Sequence, residues 1–130
     1  MEIKTVKLRR DDGKVIRIRS RIADSPRERA AGFQHICPEI IQLSSILFVY
    51  ESPTITSFHM VNVHDSLDIG FFDQDRKLIT VLRMTPQKFE DESGRLYSIG
   101  SKEFLHALEV RADFFADQGL KPNTTTLEFP

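Results

Sequence analysis

The chain has 130 residues, 40% of them hydrophobic and 28% charged, with a formal net charge of -1, the profile of one compact domain whose core needs no metal or disulfide. Its single cysteine, Cys37, excludes an internal disulfide framework and every multi-cysteine zinc or iron–sulfur site. No apolar run approaches the roughly 20 residues that span a bilayer, and the charged start MEIKTVKLRR leads into no signal-type apolar core. A cytoplasmic location with no membrane partner is therefore expected.

Ile3 to Leu8 reads as a first strand, and VIRIRSRI (15–22) as a second, with Ile16, Ile18 and Ile22 set against Arg17, Arg19 and Arg21 at a period of two. Asp11-Asp12-Gly13 between them favours a hairpin turn. Residues 1–21 hold eight Lys or Arg against three acids, a surplus of +5, so the remaining ten bases and sixteen acids amount to -6. The arginine ladder is either a solvated strand face, which protects exposed strands from mispairing, or an anion-binding surface. No aromatic residue lies in 1–21 to stack a base, which argues against nucleic acid.

ADSPRERAAGF carries a capping box: Ser25 caps, Pro26 takes the first helical position, Glu28 follows three residues after the cap, and the helix ends near Gly32. Strands then follow at 46–50, 55–63, 67–72 and 77–82, separated by short turns such as His64-Asp65-Ser66, a spacing that predicts antiparallel neighbours. Residues 84–103, with Pro86, Gly94 and Gly100, read as a long loop. FLHALEV (104–110) is a further strand, RADFFADQ (111–118) a helix stopped by Gly119, and TTTLEF (124–129) a last strand. The expectation is one α+β domain over 1–130, a mostly antiparallel sheet or small barrel with two short helices.

Read as a strand, 55–63 places Phe58, Met60 and Asn62 on one face and His59, Val61 and Val63 on the other. An amide in line with Phe and Met must find several hydrogen-bond partners. Asp68 sits in the apolar run LDIGFF and must be paired or line a wet cleft; Asn62 or Arg29 would serve as the partner. Asn62 and Asp68 thus form either a structural bridge or a binding site. Glu109, between Leu108 and Val110, is either a raised-pKa acid able to act with Asp68 or an outward, arginine-bridged residue.

Other chemistry finds little support. His35, His59, His64 and His106 form no HxH or HxxxH pair, so no metal site is expected. Asp73 and Asp75 open like a calcium loop but lack its glycine and closing glutamate, and read as turn formers. Neither a GxSxG elbow nor a GxGxxG or GxxxxGK[ST] phosphate loop occurs, and Cys37-Pro38 has no cysteine-hydrolase context. No cofactor is expected.

ERAAGF (28–33), ILFVY (46–50), FHMVN (58–62), SLDIGFFD (66–73), MTP (84–86), YS (97–98) and HALEV (106–110) with Phe114 occur in that order. In this the chain resembles the domain-of-unknown-function 192 family over about residues 15–128. The resemblance implies a β-rich α+β domain, picks out Arg29, Gly32, Phe58, Met60, Asn62, Asp68 and Glu109, and implies no established reaction. His59, Val61, Val63, Gln34 and Ile36 depart from the family's usual Trp, Lys, Thr, Met and second Arg. Many relatives look exported, whereas this start shows no leader.

Three functional classes follow. The leading one is a non-catalytic domain binding a small molecule or sugar near Arg29, Phe58, His59, Met60, Asn62, Asp68 and Glu109. The second is a hydrolase using Asp68, Glu109 and a histidine. The third is an interaction module docking through the basic hairpin.

Overall fold

The computed structural model describes residues 1–87 and 94–129, so 88–93 of the expected long loop lie outside the described residues. The elements are β1 (Glu2–Arg9), β2 (Val15–Ala23), α1 (Pro26–Ala31), α2 (Pro38–Ile41), β3 (Ser45–Thr54), β4 (Leu67–Phe72), β5 (Leu78–Met84), β6 (Phe104–Arg111), α3 (Phe114–Asp117) and β7 (Thr126–Glu128). The seven strands form one sheet in the order β5-β4-β6-β3-β2-β1-β7. All neighbours are antiparallel except β2 and β3, which run parallel over Arg21–Ala23 against Ile46–Phe48, joined by a crossover through α1 and α2.

The sheet curls into a half-barrel whose ends meet. Leu78 N donates to Thr125 O (3.0 Å) and Leu127 N to Arg76 O (2.8 Å), linking the start of β5 to β7 across the gap. Strand parity divides the core in two. Val6, Leu8, Ile22, Leu47, Phe72, Leu78, Leu108, Val110 and Leu127, one or more from each strand, fill the inside of the curl, and Phe115 of α3 packs among them. Gly70 admits that ring: a Cβ there would stand 2.5 Å from Phe115 Cζ. Ile46, Phe48, Leu67, Ile69, Phe71 and Ala107 point the other way and are covered by Phe33, Ile41, Phe58, Met60 and Val63.

Several expectations meet their local chemistry directly. Lys14 N donates to Asp12 Oδ1 (3.0 Å) and Gly13 takes φ +89° in the β1–β2 turn. Ser25 Oγ accepts from Glu28 N (3.2 Å) and donates to Glu28 Oε1 (3.0 Å), completing the capping box, and Gly32 ends α1 at φ +48°. Asp73 Oδ1 accepts from Asp75 N (2.9 Å) and Lys77 N (3.0 Å), as a turn former does.

Other expectations are corrected. Segment 55–63 is not a strand. The edge of β3 that it would have extended along is taken by β6, which separates β3 from β4. Phe58 instead exchanges two backbone bonds with Tyr97 (2.9 and 2.8 Å) in an isolated bridge, and the chain turns at Val61–Asn62 with Asn62 at φ +61°. The turn breaks the alternation, so Phe58, Met60 and Val63 are buried while His59, Val61 and Asn62 are exposed. The helix expected at 111–118 shrinks to α3, because β6 runs on to Arg111 and Asp113 adopts a left-handed conformation at φ +73°. The short helix α2, started by Pro38, adds a third helix to the two expected. No helix among the described residues is long and apolar enough to cross a membrane.

Candidate functional site

Glu109 is the starting point. It lies on β6 in the middle of the sheet, directly opposite Ile46 of β3 on one side and Ile69 of β4 on the other, both fully buried. Its side chain shares their face, 4% exposed, on the floor of a cavity of about 330 Å³. Above the floor stands α1, whose capping box fixes its first turn and so the placement of Arg29 in its last. Gly32, closing the helix, brings bare backbone over the carboxyl: a Cβ there would lie 3.8 Å from Glu109 Oε1. Phe48 and Phe58 form an apolar wall in edge-to-face contact (5.4 Å, 81°), and Gln34, Tyr50, Thr56, Ser57 and His59 add polar groups to the lining.

The electrostatics follow from this placement. Among the described residues the Glu109 carboxyl makes neither hydrogen bond nor ion pair. Burial without compensation disfavours the ionised form and pushes its pKa from 4.5 up to about 8, so the group is a neutral acid at pH 7. Arg29 donates Nη1–H to the Val49 carbonyl (2.9 Å) and stacks on Tyr50, with Cζ 4.7 Å from the ring centroid. Burial raises the Tyr50 hydroxyl to about 12, with Arg29 pulling it down and Glu109 pushing it up, so the phenol keeps its proton. His59 Nδ1 accepts from Val61 N (3.2 Å), which in the neutral ring leaves the proton on Nε2.

The residues singled out in the sequence are thus divided. Arg29, Phe58, His59 and Glu109 line one cavity. Met60 is core beneath it, and Asn62 lies on the exposed turn, its amide donating to Gln34 Oε1 (3.4 Å). Asp68 meets neither Asn62 nor Arg29. It takes Arg83 of β5 in a two-pronged pair (2.5 and 3.2 Å) and accepts from Asp113 N (2.7 Å). Asp68 faces Val110 across the β4–β6 ladder, one position from the Ile69–Glu109 pair, so Asp68 and Glu109 project from opposite faces of the sheet. The acid pair of a hydrolase is thereby removed. Glu109 itself is neither outward nor bridged to an arginine.

Four lining residues carried no signal in the sequence. Phe48 and Tyr50 carry the parity of Ile46, which faces Glu109, but only the β3–β6 register reveals that they share its face. Thr56 and Ser57 sat in a segment read as a strand and carried no motif. Among the described residues no three His, Cys, Asp or Glu side chains cluster as metal ligands.

The model of the family described as uncharacterized ACR, COG1430 (DUF192) matches residues 7–127. No curated protein matches the chain. Among solved structures, a protein of unknown function from Novosphingobium aromaticivorans DSM 12444 is 23% identical, with a TM-score of 0.82 over 98% of this chain and 85% of the other. A proposed transcription regulator from Sinorhizobium meliloti 1021 is 19% identical, with a TM-score of 0.84 over 98% of this chain and 93% of the other. At these identities the likeness shows the fold.

Proposed function

The chain belongs to the DUF192 family of uncharacterized proteins, and from that premise we propose that it is a non-catalytic domain binding a small polar molecule between α1, β3 and β6. The observation that carries the reading is the unpartnered carboxyl of Glu109 on the floor of a cavity that also holds Arg29. A buried polar group without a partner is costly, and a ligand that supplies the partner recovers that cost as affinity. Apolar walls with a few convergent polar groups are the ordinary make-up of small-molecule sites, and about 330 Å³ suits a ligand the size of a sugar.

A thermal-shift screen of small polar molecules, sugars included, tests the reading. Hits should raise the melting temperature of the wild type and of Asp68→Asn, whose side chain faces away, and should fail with Arg29→Ala and Glu109→Ala. Hits that shift all four proteins alike would remove this cavity as the site.

A second reading rests on a separate observation. Lys7, Arg17, Arg19 and Arg21 share the outer face of β1 and β2 and make no ion pair among the described residues; Lys7 and Arg17 even stand directly opposite each other. Glu128 of β7, opposite Lys7 on its other side, offsets part of this like-charge pair, while Arg19 and Arg21 stand opposite the uncharged Thr5 and Ile3, which supports docking of an acidic partner. Binding to an acidic protein that is indifferent to salt and to Arg17→Ser/Arg19→Ser would dispose of it.

A further inference from the structure

We infer that the ligand of this cavity is a small hydroxylated organic anion, its carboxylate held by Arg29 and a hydroxyl group held by the Glu109 side chain. The inference rests on the binding reading above and names its ligand class. Among the lining residues Arg29 brings a guanidinium and Glu109 the one carboxyl. They form no ion pair with each other, so neither neutralises the other. Glu109 is enclosed by Ile46, Ile69, Phe48 and Gly32, an environment that holds a carboxyl in its neutral form. A guanidinium is a positively charged group with donors only.

The remaining polar side chains can each donate. Arg29 has five N–H groups, of which a single bond to Val49 O is made, leaving the others without a protein acceptor among the described residues. His59, with Nδ1 engaged by Val61 N, offers its Nε2–H. Tyr50, Thr56 and Ser57 offer hydroxyls. A cavity with a guanidinium whose donors are mostly free suits an acceptor-rich anion better than a cationic ligand. The neutral carboxyl of Glu109 donates one hydrogen bond and accepts another, which matches a hydroxyl group and would repel no carboxylate. Guanidinium and carboxylate match in planar two-pronged geometry, which makes the carboxylate a better fit for Arg29 than a spherical anion. The edge-to-face pair Phe48 and Phe58 provides the surface for the C–H face of such a ligand.

Isothermal titration with matched pairs tests the class apart from the site. The probes are D-gluconate against D-glucitol and D-galacturonate against D-galactose, with wild type, Arg29→Gln, Arg29→Lys and Asp68→Asn, each checked for fold by circular dichroism. The acid of each pair should bind at least about tenfold more tightly than its neutral partner, as a charge-assisted bond implies. Arg29→Gln should abolish that preference, Arg29→Lys should keep part of it, and Asp68→Asn should leave it intact. Equal or tighter binding of the neutral member, or a preference that survives Arg29→Gln, would overturn the anion inference while leaving the cavity as a binding site. Binding of neither member by the wild type would overturn the ligand class, and the library screen above would then decide the site separately.

Discussion

Replacing Glu109 by glutamine keeps the side chain's shape and removes its titration, and the structure fixes what that does to stability. The folded protein holds the carboxyl's proton up to about pH 8, because burial opposes ionisation, whereas the unfolded chain releases it around 4.5. Between those values the folded state binds more protons than the unfolded state, so stability falls as pH rises. The loss is roughly 1.4 kcal/mol per pH unit, roughly 5 kcal/mol over the whole interval and roughly 3 kcal/mol by pH 7. Below 4.5 both states are protonated and the term vanishes. Glutamine never ionises, so Glu109→Gln minus wild type should change by roughly 3 kcal/mol in favour of the variant between pH 4.5 and 7. That difference rides on a constant offset of about 1–3 kcal/mol against the variant, since the buried amide has an extra donor to desolvate. Urea unfolding of both proteins at half-unit pH steps reads the difference directly, and other titrating groups cancel in the subtraction. Parallel stability profiles across pH 4.5–8 would refute the reasoning, because they would mean that the carboxyl ionises in its cavity at no cost.

Three further outcomes follow from other parts of the molecule. Burial, with Arg76 nearby, lowers the pKa of His106 from 6.5 to about 4, and its Nδ1 has no partner among the described residues; the folded state keeps the ring neutral, so stability present above pH 6.5 is lost as pH falls toward 4, and His106→Phe should flatten that acid limb in thermal melts. Gly70→Ala would place a Cβ 2.5 Å from Phe115 Cζ and 2.9 Å from its Cε1, and should cost about 1–3 kcal/mol in chemical denaturation, with Phe115→Leu restoring part of the loss in the double variant. Asp68→Asn loses the charge that Arg83 and Asp113 N address and should destabilise by about 1–3 kcal/mol while leaving ligand affinity unchanged; a selective loss of affinity would return Asp68 to the site.

How far the sequence could be read depended on whether an alternating segment had an edge to pair with. Ile16, Ile18 and Ile22 alternate with arginines beside β1, and the reading of a strand is correct there. Phe58, His59 and Met60 begin the same alternation, yet β6 takes the edge of β3 and the segment folds through the Asn62 turn over the cavity. The break at Val61 is a weak local sign, and the decisive competitor for that edge lies some fifty residues later in the chain. The capping box at Ser25 and Glu28 needed no such knowledge, since its partners are three residues apart. It is therefore the element that the sequence placed best, and through Arg29 it is also one wall of the cavity.

The two acids in apolar strands looked alike in sequence, and a single residue of register separates them. Asp68 is opposite Val110, while Glu109 is opposite Ile69. Because side chains alternate faces, this offset sends one acid to the side where Arg83 and Asp113 N satisfy it and the other to the side where the cavity opens. Pairing explains why Asp68 is tolerated in the sheet, and the same explanation is closed to Glu109. A carboxyl that survives at the centre of a sheet without a protein partner makes sense when its partner comes from outside. That is the ground on which we propose the site at Glu109 and Arg29 and not at Asn62 and Asp68.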